Sequence, residues 1–408
     1  MKIIQLAYSN YVGGASIAAN RIHYSLCKNN INSELWVNDA LSKKSDWKDP
    51  YDKIEKKLRR YITWPLLKTI KTDIPIHHSI SLLPSTWVKR INESDADIVN
   101  LHWIQREMLS VKDISKIKKP IVWTLHDMWA FCGAEHYTND IRWREGYNSN
   151  NRPSYESGFD LNKWTWDRKK KYWKSPIQII TPSSWLANCV RESKLMSNWP
   201  VSIVANPINT EVFKPMDKKT ALKNLNLPNN VPLLLFGALG GIKDSRKGFD
   251  LLIKTLKHLK NKIKVKDVEI VILGQSKQKS LPNLDYPIHY LGHLNDDKDL
   301  CSVYNSVDAL VIPSRQDNLP NMGIEAQACG VPVIAFNTGG LGDIIDHQKT
   351  GYLAKAFDVE DLGNGIIFVL EQSKKKQLAS NAREQAIKKF SEKKISEDYL
   401  KIYKNLLI

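Results

Sequence analysis

The stretch Ser314-Arg315-Gln316-Asp317-Asn318-Leu319-Pro320-Asn321-Met322-Gly323-Ile324-Glu325-Ala326-Gln327-Ala328-Cys329-Gly330-Val331-Pro332-Val333-Ile334 decides how this chain folds. Ahead of it, Ala309–Pro313 reads as a buried strand. A turn with Asn and Pro follows, then a helix from about Asn321 to Cys329, then a strand over Val331–Phe336. Strand, helix and strand in such quick succession form one unit of a parallel α/β sheet. In an open sheet of this kind ligands bind in the loops beyond the carboxyl ends of the strands, and that loop holds Asp317. The amides at the helix N-terminus suit anionic or hydroxyl groups. Glu325, a turn or more inside the helix, is placed to accept hydrogen bonds from paired hydroxyls.

The same alternation runs through the rest of the 408 residues, enough chain for two domains of roughly 200 residues each. In the first half, Lys2–Tyr8, Ser33–Asn38, Asp97–Trp103, Pro120–His126, Gln178–Pro182 and Val201–Ala205 read as strands. The second half restarts with Leu233–Leu239, Val268–Leu273 and Ile288–Leu291, and Phe249–Lys260 has the apolar spacing of a helix. Breakers cluster at Asn206-Pro207, Lys214-Pro215 and Pro228-Asn229-Asn230. The expected division is therefore 1–206, 207–390 and a separate amphipathic helix in 391–408. The first domain carries inserts near 45–95 and 128–175, the second of them rich in tryptophan (Trp129, Trp143, Trp164, Trp166, Trp173). Those rings suit either stacking on sugars or an aromatic core for the insert.

The formal net charge is +17 and lies unevenly: residues 1–200 hold 31 Lys/Arg against 20 Asp/Glu. Such an excess favours an anionic partner. Nucleic acid is disfavoured, because no helix-turn-helix, RNA-binding or finger motif is present. Cys27, Cys132, Cys189, Cys301 and Cys329 are scattered with no C-x-x-C pair, against a disulfide framework or a cysteine zinc site. No apolar run reaches the length of a signal core or of a spanning helix. A cytoplasmic location is expected, free or attached peripherally to the inner face of the membrane. For the latter, residues 51–71 interleave Ile54, Leu58, Tyr61 and Ile62 with Lys56, Lys57, Arg59 and Arg60, although Pro65 is expected to end or kink a helix there.

Three more stretches carry chemistry. After Phe236-Gly237-Ala238-Leu239, the run Ser245-Arg246-Lys247-Gly248-Phe249-Asp250 joins two adjacent cations to a helix start. Arg gives bidentate contacts and Lys a point charge, a combination suited to a diphosphate. Tyr8-Ser9-Asn10-Tyr11-Val12-Gly13-Gly14 links the first strand to the first helix, its two glycines letting backbone approach a ligand closely. Val122-Trp123-Thr124-Leu125-His126-Asp127 ends a strand in His-Asp, where Asp127 either orients the imidazole or caps the next turn. His102, ending the preceding strand, is a weaker candidate for the site.

Glu325-Ala326 and Cys329 through Ile334 resemble the signature of the family 4 retaining glycosyltransferases, which share the α/β GT-B fold: two Rossmann-like domains facing each other across a cleft. The resemblance implies a donor-binding second domain and an acceptor-binding first domain. It implies that Glu325 binds the donor ribose, and that Arg246 and Lys247, with Gly13 and Gly14, hold its diphosphate. It further implies that His126 and Asp317 act at the transferred sugar, with Asn318, Leu319 and Asn321 beside it. The chain departs from the family at Asp317, where a Glu is usual, at Pro320, where Gly is, and at Ala238, where relatives often have Arg. Ala134-Glu135-His136-Tyr137 and the tryptophan-rich insert resemble a subgroup from bacterial surface-polysaccharide assembly, of O-antigen or capsule type. The implied partners are a nucleoside-diphosphate-sugar co-substrate and a glycan acceptor on a polyprenyl diphosphate. Neither a D-x-D motif nor a metal-ligand cluster stands out, so no metal or other cofactor is expected. The alternative within the same fold is a sugar-nucleotide-binding protein, epimerase or phosphorylase.

Overall fold

The computed structural model describes residues 1–11, 13–39, 53–72, 76–237, 244–260, 268–275, 286–294, 296–371 and 375–408. Ala238, Leu239 and the 45–52 start of the first insert lie outside them. The chain divides into two compact units, residues 1–205 with 395–408, and residues 206–394. The first holds β1 (Lys2–Ser9), β2 (Asn32–Asp39), β3 (Ile70–Thr72), β4 (Ile98–Leu101), β5 (Ile121–Thr124), β6 (Glu156–Gly158), β7 (Gln178–Thr181) and β8 (Val201–Ile203). The second holds β9 (Leu233–Gly237), β10 (Glu269–Leu273), β11 (Ile288–Gly292), β12 (Ala309–Ile312), β13 (Val333–Phe336) and β14 (Gly351–Ala354). Every strand segment read from the sequence overlaps one of these. The short β3, β6 and β14 were not anticipated.

In the first unit the order is β2-β1-β4-β5-β7-β8, every neighbour parallel. In the second it is β11-β10-β9-β12-β13-β14, again parallel throughout. Each sheet begins in its middle and grows to one side and then the other. Its switch point therefore lies between β1 and β4 in one unit and between β9 and β12 in the other, where a ligand crevice opens at the carboxyl ends. The Gly13-Gly14 loop leaves β1 and His102 follows β4, with His126 after the adjacent β5. In the second unit Arg246 and Lys247 come after β9 and Asp317 after β12. Topology alone thus gathers the sequence candidates of each unit at one end of its sheet.

Burial on both faces explains the continuous apolar strands. Successive residues point to opposite sides, so Ile4, Leu6, Val99 and Leu101 join one core while Ile3, Ile98, Val122 and Ile180 join another. The second of these cores also takes Ile395, Tyr399 and Tyr403 from the helix Glu392–Leu407. The sequence left the docking surface of this helix unnamed; from Ile395 onward it packs with the first unit. Trp129, Trp143, Trp166 and Trp173 are all buried in the first core. The Trp123 ring packs edge-on against Trp173 at 5.3 Å. For those four tryptophans the structure selects the aromatic core over sugar stacking.

Candidate functional site

In the second unit a one-turn 3-10 helix, Ser245–Lys247, docks on the loop after β12. Gly248, at φ +69°, makes this possible: a Cβ there would stand 1.9 Å from the Pro313 carbonyl oxygen. Arg315 ties the two segments together, donating to the Ser245 carbonyl at 2.7 Å and, as a two-point fork, to Asp250 at 2.7 and 2.6 Å. The result brings together the cations and the acid read separately from sequence. Lys247 Nζ donates to Asp317 Oδ2 at 2.6 Å, and Arg246 Nη1 lies 3.8 Å from Oδ1. Asp317 is almost fully buried. Burial alone would raise its carboxyl, yet the Lys247 ammonium and the Arg246 guanidinium hold it below the ordinary carboxylate value. Arg246 is itself aimed by Asp244 at 3.0 Å and by the Gln316 carbonyl at 3.0 Å.

The helix Asn321–Ala328 starts directly after Pro320, which has no side-chain cap to offer. Glu325 is buried on it and accepts a hydrogen bond from the Tyr304 hydroxyl at 2.5 Å. Asn318 and Leu319 are buried beside Asp317. Asn206 donates to Asn321 Oδ1 at 3.0 Å and to the Leu319 carbonyl at 3.4 Å. The Asn206 Oδ1 is buried with no protein partner, a polar atom left for a ligand or water. Lys247, Arg246, Asp317, Asn318, Leu319, Asn321 and Glu325 therefore all lie on the loops after β9 and β12 or the helix that follows. Ala238, where the resemblance marks a departure, is outside the described residues.

In the first unit Gly13 adopts φ +85° and a Cβ there would meet open space, leaving backbone exposed to a ligand. Gly14 opens the helix Gly14–Lys28. His126 is partly buried, and its Nε2 lies 3.0 Å from Nδ1 of the fully buried His102. His102 Nε2 is 2.8 Å from Gln5 Oε1, while Gln5 Nε2 donates to Tyr403 at 3.2 Å. Burial, then the His126 neighbour, keeps His102 neutral far below its ordinary value. A neutral His102 that donates to Gln5 must accept at Nδ1, so His126 carries its proton on Nε2. Burial holds His126 neutral as well, with a pKa of about 4. Asp127 resolves the choice left by sequence: Oδ1 accepts from the Trp129 amide at 3.0 Å and caps the turn. Its Oδ2 takes His136 at 2.6 Å and Trp103 at 2.9 Å.

Several contributors escaped sequence reasoning. Tyr304, Asp244, Asn206, Gln5 and Tyr403 act through partners distant in the chain, and no motif marks them. Arg106 has a signal only in three dimensions. It and Glu107 are consecutive non-glycine residues in the left-handed region, at φ 56° and 63°. Each such residue stores about 1–3 kcal/mol, and such strain clusters at functional sites. The Arg106 guanidinium lies 5.4 Å from the Tyr8 ring and 5.5 Å from Trp103, at the carboxyl ends of β1 and β4.

Residues 218–388 match the family described as Glycosyl transferases group 1. Over 350 residues the chain is 25% identical to the "Uncharacterized 41.2 kDa protein in cps region" of Klebsiella pneumoniae, covering 80% of this chain and 84% of that one. Over 249 residues it is 26% identical to the N,N'-diacetylbacillosaminyl-diphospho-undecaprenol alpha-1,3-N-acetylgalactosaminyltransferase of Campylobacter jejuni. That match covers 58% of this chain and 63% of the relative, so the chain spans less than two thirds of it. Sucrose-phosphate synthase from Thermosynechococcus elongatus superposes with a TM-score of 0.68 at 16% identity, covering 100% of this chain and 99% of that one. The fold class is accordingly α/β, two parallel-sheet Rossmann-like domains of the GT-B kind. The stretch similar to the glycosyl transferases group 1 family falls within the second unit.

Proposed function

We propose that this protein is a metal-independent retaining glycosyltransferase. It moves a sugar from a nucleoside diphosphate to a hydroxyl of a glycan acceptor carried on a polyprenyl diphosphate, in the assembly of a bacterial surface polysaccharide. The observation that supports this most is the Lys247–Asp317–Arg246 cluster at the switch point of the second unit. A buried carboxylate held ionised between two cations is poised for a sugar hydroxyl on one side and a diphosphate on the other. Glu325, which accepts a hydrogen bond from Tyr304, is the group for the ribose hydroxyls in this reading.

In this reading the bond from the sugar's anomeric carbon to the β-phosphate oxygen breaks, and a bond to the acceptor oxygen forms on the same face. The acceptor's proton passes to the departing phosphate oxygen. Lys247 and Arg246 meet the charge that grows there, the kind of preorganised stabilisation that contributes most to catalysis. His126, neutral with its proton turned toward His102, offers dipole rather than charge to the sugar. The cps-region name of one relative and the undecaprenol-linked acceptor in the name of another support the polysaccharide context.

The test is a panel of UDP-, GDP- and dTDP-sugars, first for thermal stabilisation and then for product formation with a lipid-linked acceptor. Stabilisation by one nucleotide class, followed by release of its diphosphate and an acceptor product of unchanged anomeric configuration, is the expected result. Stabilisation without any transfer favours the sugar-nucleotide-binding alternative, and inverted product overturns the retaining mechanism.

A further inference from the structure

The helix Lys53–Leu67 presents an apolar row to solvent. Ile54 is 77% exposed, Leu58 56% and Tyr61 61%, with Ile62 and Trp64 above half. At 100° per residue, Ile54, Leu58, Tyr61 and Pro65 fall on one stripe. The opposite stripe holds Lys56, Arg59, Thr63, Leu66 and Leu67, and it is fastened to the first unit. Lys56 donates to the Asn38 carbonyl. Arg59 donates to the carbonyls of Leu83, Pro84 and Glu107 at 3.1, 2.8 and 3.1 Å. Thr63 is buried, and Leu66 and Leu67 pack on Ile80, Ala134 and Leu161. The outer row is therefore the face left over after docking, where a soluble helix ordinarily carries charge.

This geometry revises the sequence expectation. Of the four cations first considered, Lys56 and Arg59 hold the helix to its own unit, and Lys57 and Arg60 point outward. Lys57 sits 5.9 Å from the Tyr61 ring and Lys68 3.8 Å from the Trp64 ring, so the cations flank the apolar row rather than interrupt it. Residues 53–71 contain seven Lys/Arg and a single acid, Glu55. Pro65 does not break the helix but falls in its last turn.

We propose that the outer face of Lys53–Leu67 docks the protein on an anionic lipid bilayer, with Ile54, Leu58 and Tyr61 entering the headgroup boundary and Lys57, Arg60 and Lys68 meeting lipid phosphates. An apolar row edged by cations matches that surface in both chemistry and charge. Among the described residues no helix is long and apolar enough to cross a membrane, so the attachment is interfacial. Arg59 also links the helix to the carbonyl of Glu107, next to Arg106. A docked helix therefore sits directly on the loop at the β1/β4 crevice, where a lipid-borne phosphate would arrive. The proposal needs no transferase activity to be true.

Flotation of the full chain with phosphatidylcholine vesicles, with and without 30% phosphatidylglycerol, tests it. Binding is expected only to the anionic vesicles, falling steeply between 0.05 and 0.5 M salt. A K57Q/R60Q/K68Q variant should partition about 100-fold less. An I54S/L58S/Y61S variant should lose binding while keeping the wild-type melting temperature, since these side chains touch little of the protein. Equal flotation of wild type and either variant, equal binding to neutral vesicles, or no binding at all would each overturn the proposal. So would a dimer in solution that the I54S/L58S/Y61S variant dissolves, which would make a second copy the occupant.

Discussion

Nδ1 of His102 faces Nε2 of His126 across 3.0 Å, inside a chain of bonds that runs on through Gln5 to Tyr403. The sequence places the two histidines at the ends of adjacent strands. The last helix of the chain then closes the network from below, so a residue near the C-terminus sets the tautomer of a residue at the candidate site. In nitrogen-resolved NMR at pH 7, His126 should appear neutral with its proton on Nε2. His102→Ala should release that preference and reduce transfer without changing affinity for the bare nucleotide. A His126 spectrum unchanged in the variant would disprove the relay.

The same burial makes the first unit acid-sensitive. Desolvation holds His126 and His78 at about 4, against roughly 6.5 in an unfolded chain. Between pH 6.5 and 4 the unfolded state therefore binds more protons than the folded one. The stability they contribute is complete above pH 6.5 and is lost as pH falls toward 4. Melting temperature should drop by at least about 5 °C between pH 7 and pH 5. The His126→Gln variant should show a shallower drop. A flat profile for the wild type would contradict the buried neutral histidines.

Lys247 serves two anions, its own Asp317 and the proposed diphosphate. Lys247→Ala should lower kcat/KM by about 10- to 100-fold, the loss of one charge-assisted contact in the transition state. It should also let the Asp317 carboxyl rise, since burial would then act against one cation instead of two. The acid limb of the pH–rate profile should move upward. Because the residues touch, K247A/D317N should be less than additive. Unchanged turnover in Lys247→Ala would reduce the pair to a structural ion pair.

The two acids should separate by ligand. Glu325→Gln is expected to weaken binding of the bare nucleoside diphosphate by about tenfold, with Tyr304→Phe doing so more mildly. Asp317→Asn should leave that binding nearly intact while lowering transfer. Calorimetry with nucleotide alone, set beside turnover, reads both, and the reverse pattern would exchange the roles.

Gly248→Ala puts a Cβ against the Pro313 carbonyl and strains a left-handed backbone. A loss of several kcal/mol is expected, on the order of 2–4. Nucleotide binding should fall along with it, because Arg246 and Lys247 ride on the same turn. A stable variant with wild-type nucleotide affinity would show that the turn does not position the clamp.

Much of this architecture was legible without coordinates. Parallel strands buried on both faces need unbroken apolar runs such as Leu233-Leu234-Leu235-Phe236, and these mark the strands and so the α/β class. The run from Ser314 to Ile334 likewise marks its helix by local spacing, with Asp317 in the loop and Glu325 inside. What sequence did not reveal depends on pairing at a distance. The three residues of β3 become a strand only through β6, which begins 84 positions after β3 ends. Lys57 and Arg59 are both cations of one basic run, and only the docking of the helix sends one to solvent and the other to the Glu107 carbonyl. Lys247 and Asp317, 70 residues apart, meet because β9 and β12 are neighbours at a switch point. The sequence by itself determined the strands of the two parallel sheets other than β14, since periodicity and turn chemistry act within a few residues. Which charges meet, which histidine nitrogen holds the proton, and which face of the Lys53–Leu67 helix is left exposed were decided by tertiary structure alone. Desolvation and hydrogen bonding there depend on groups that the chain brings together only when it folds.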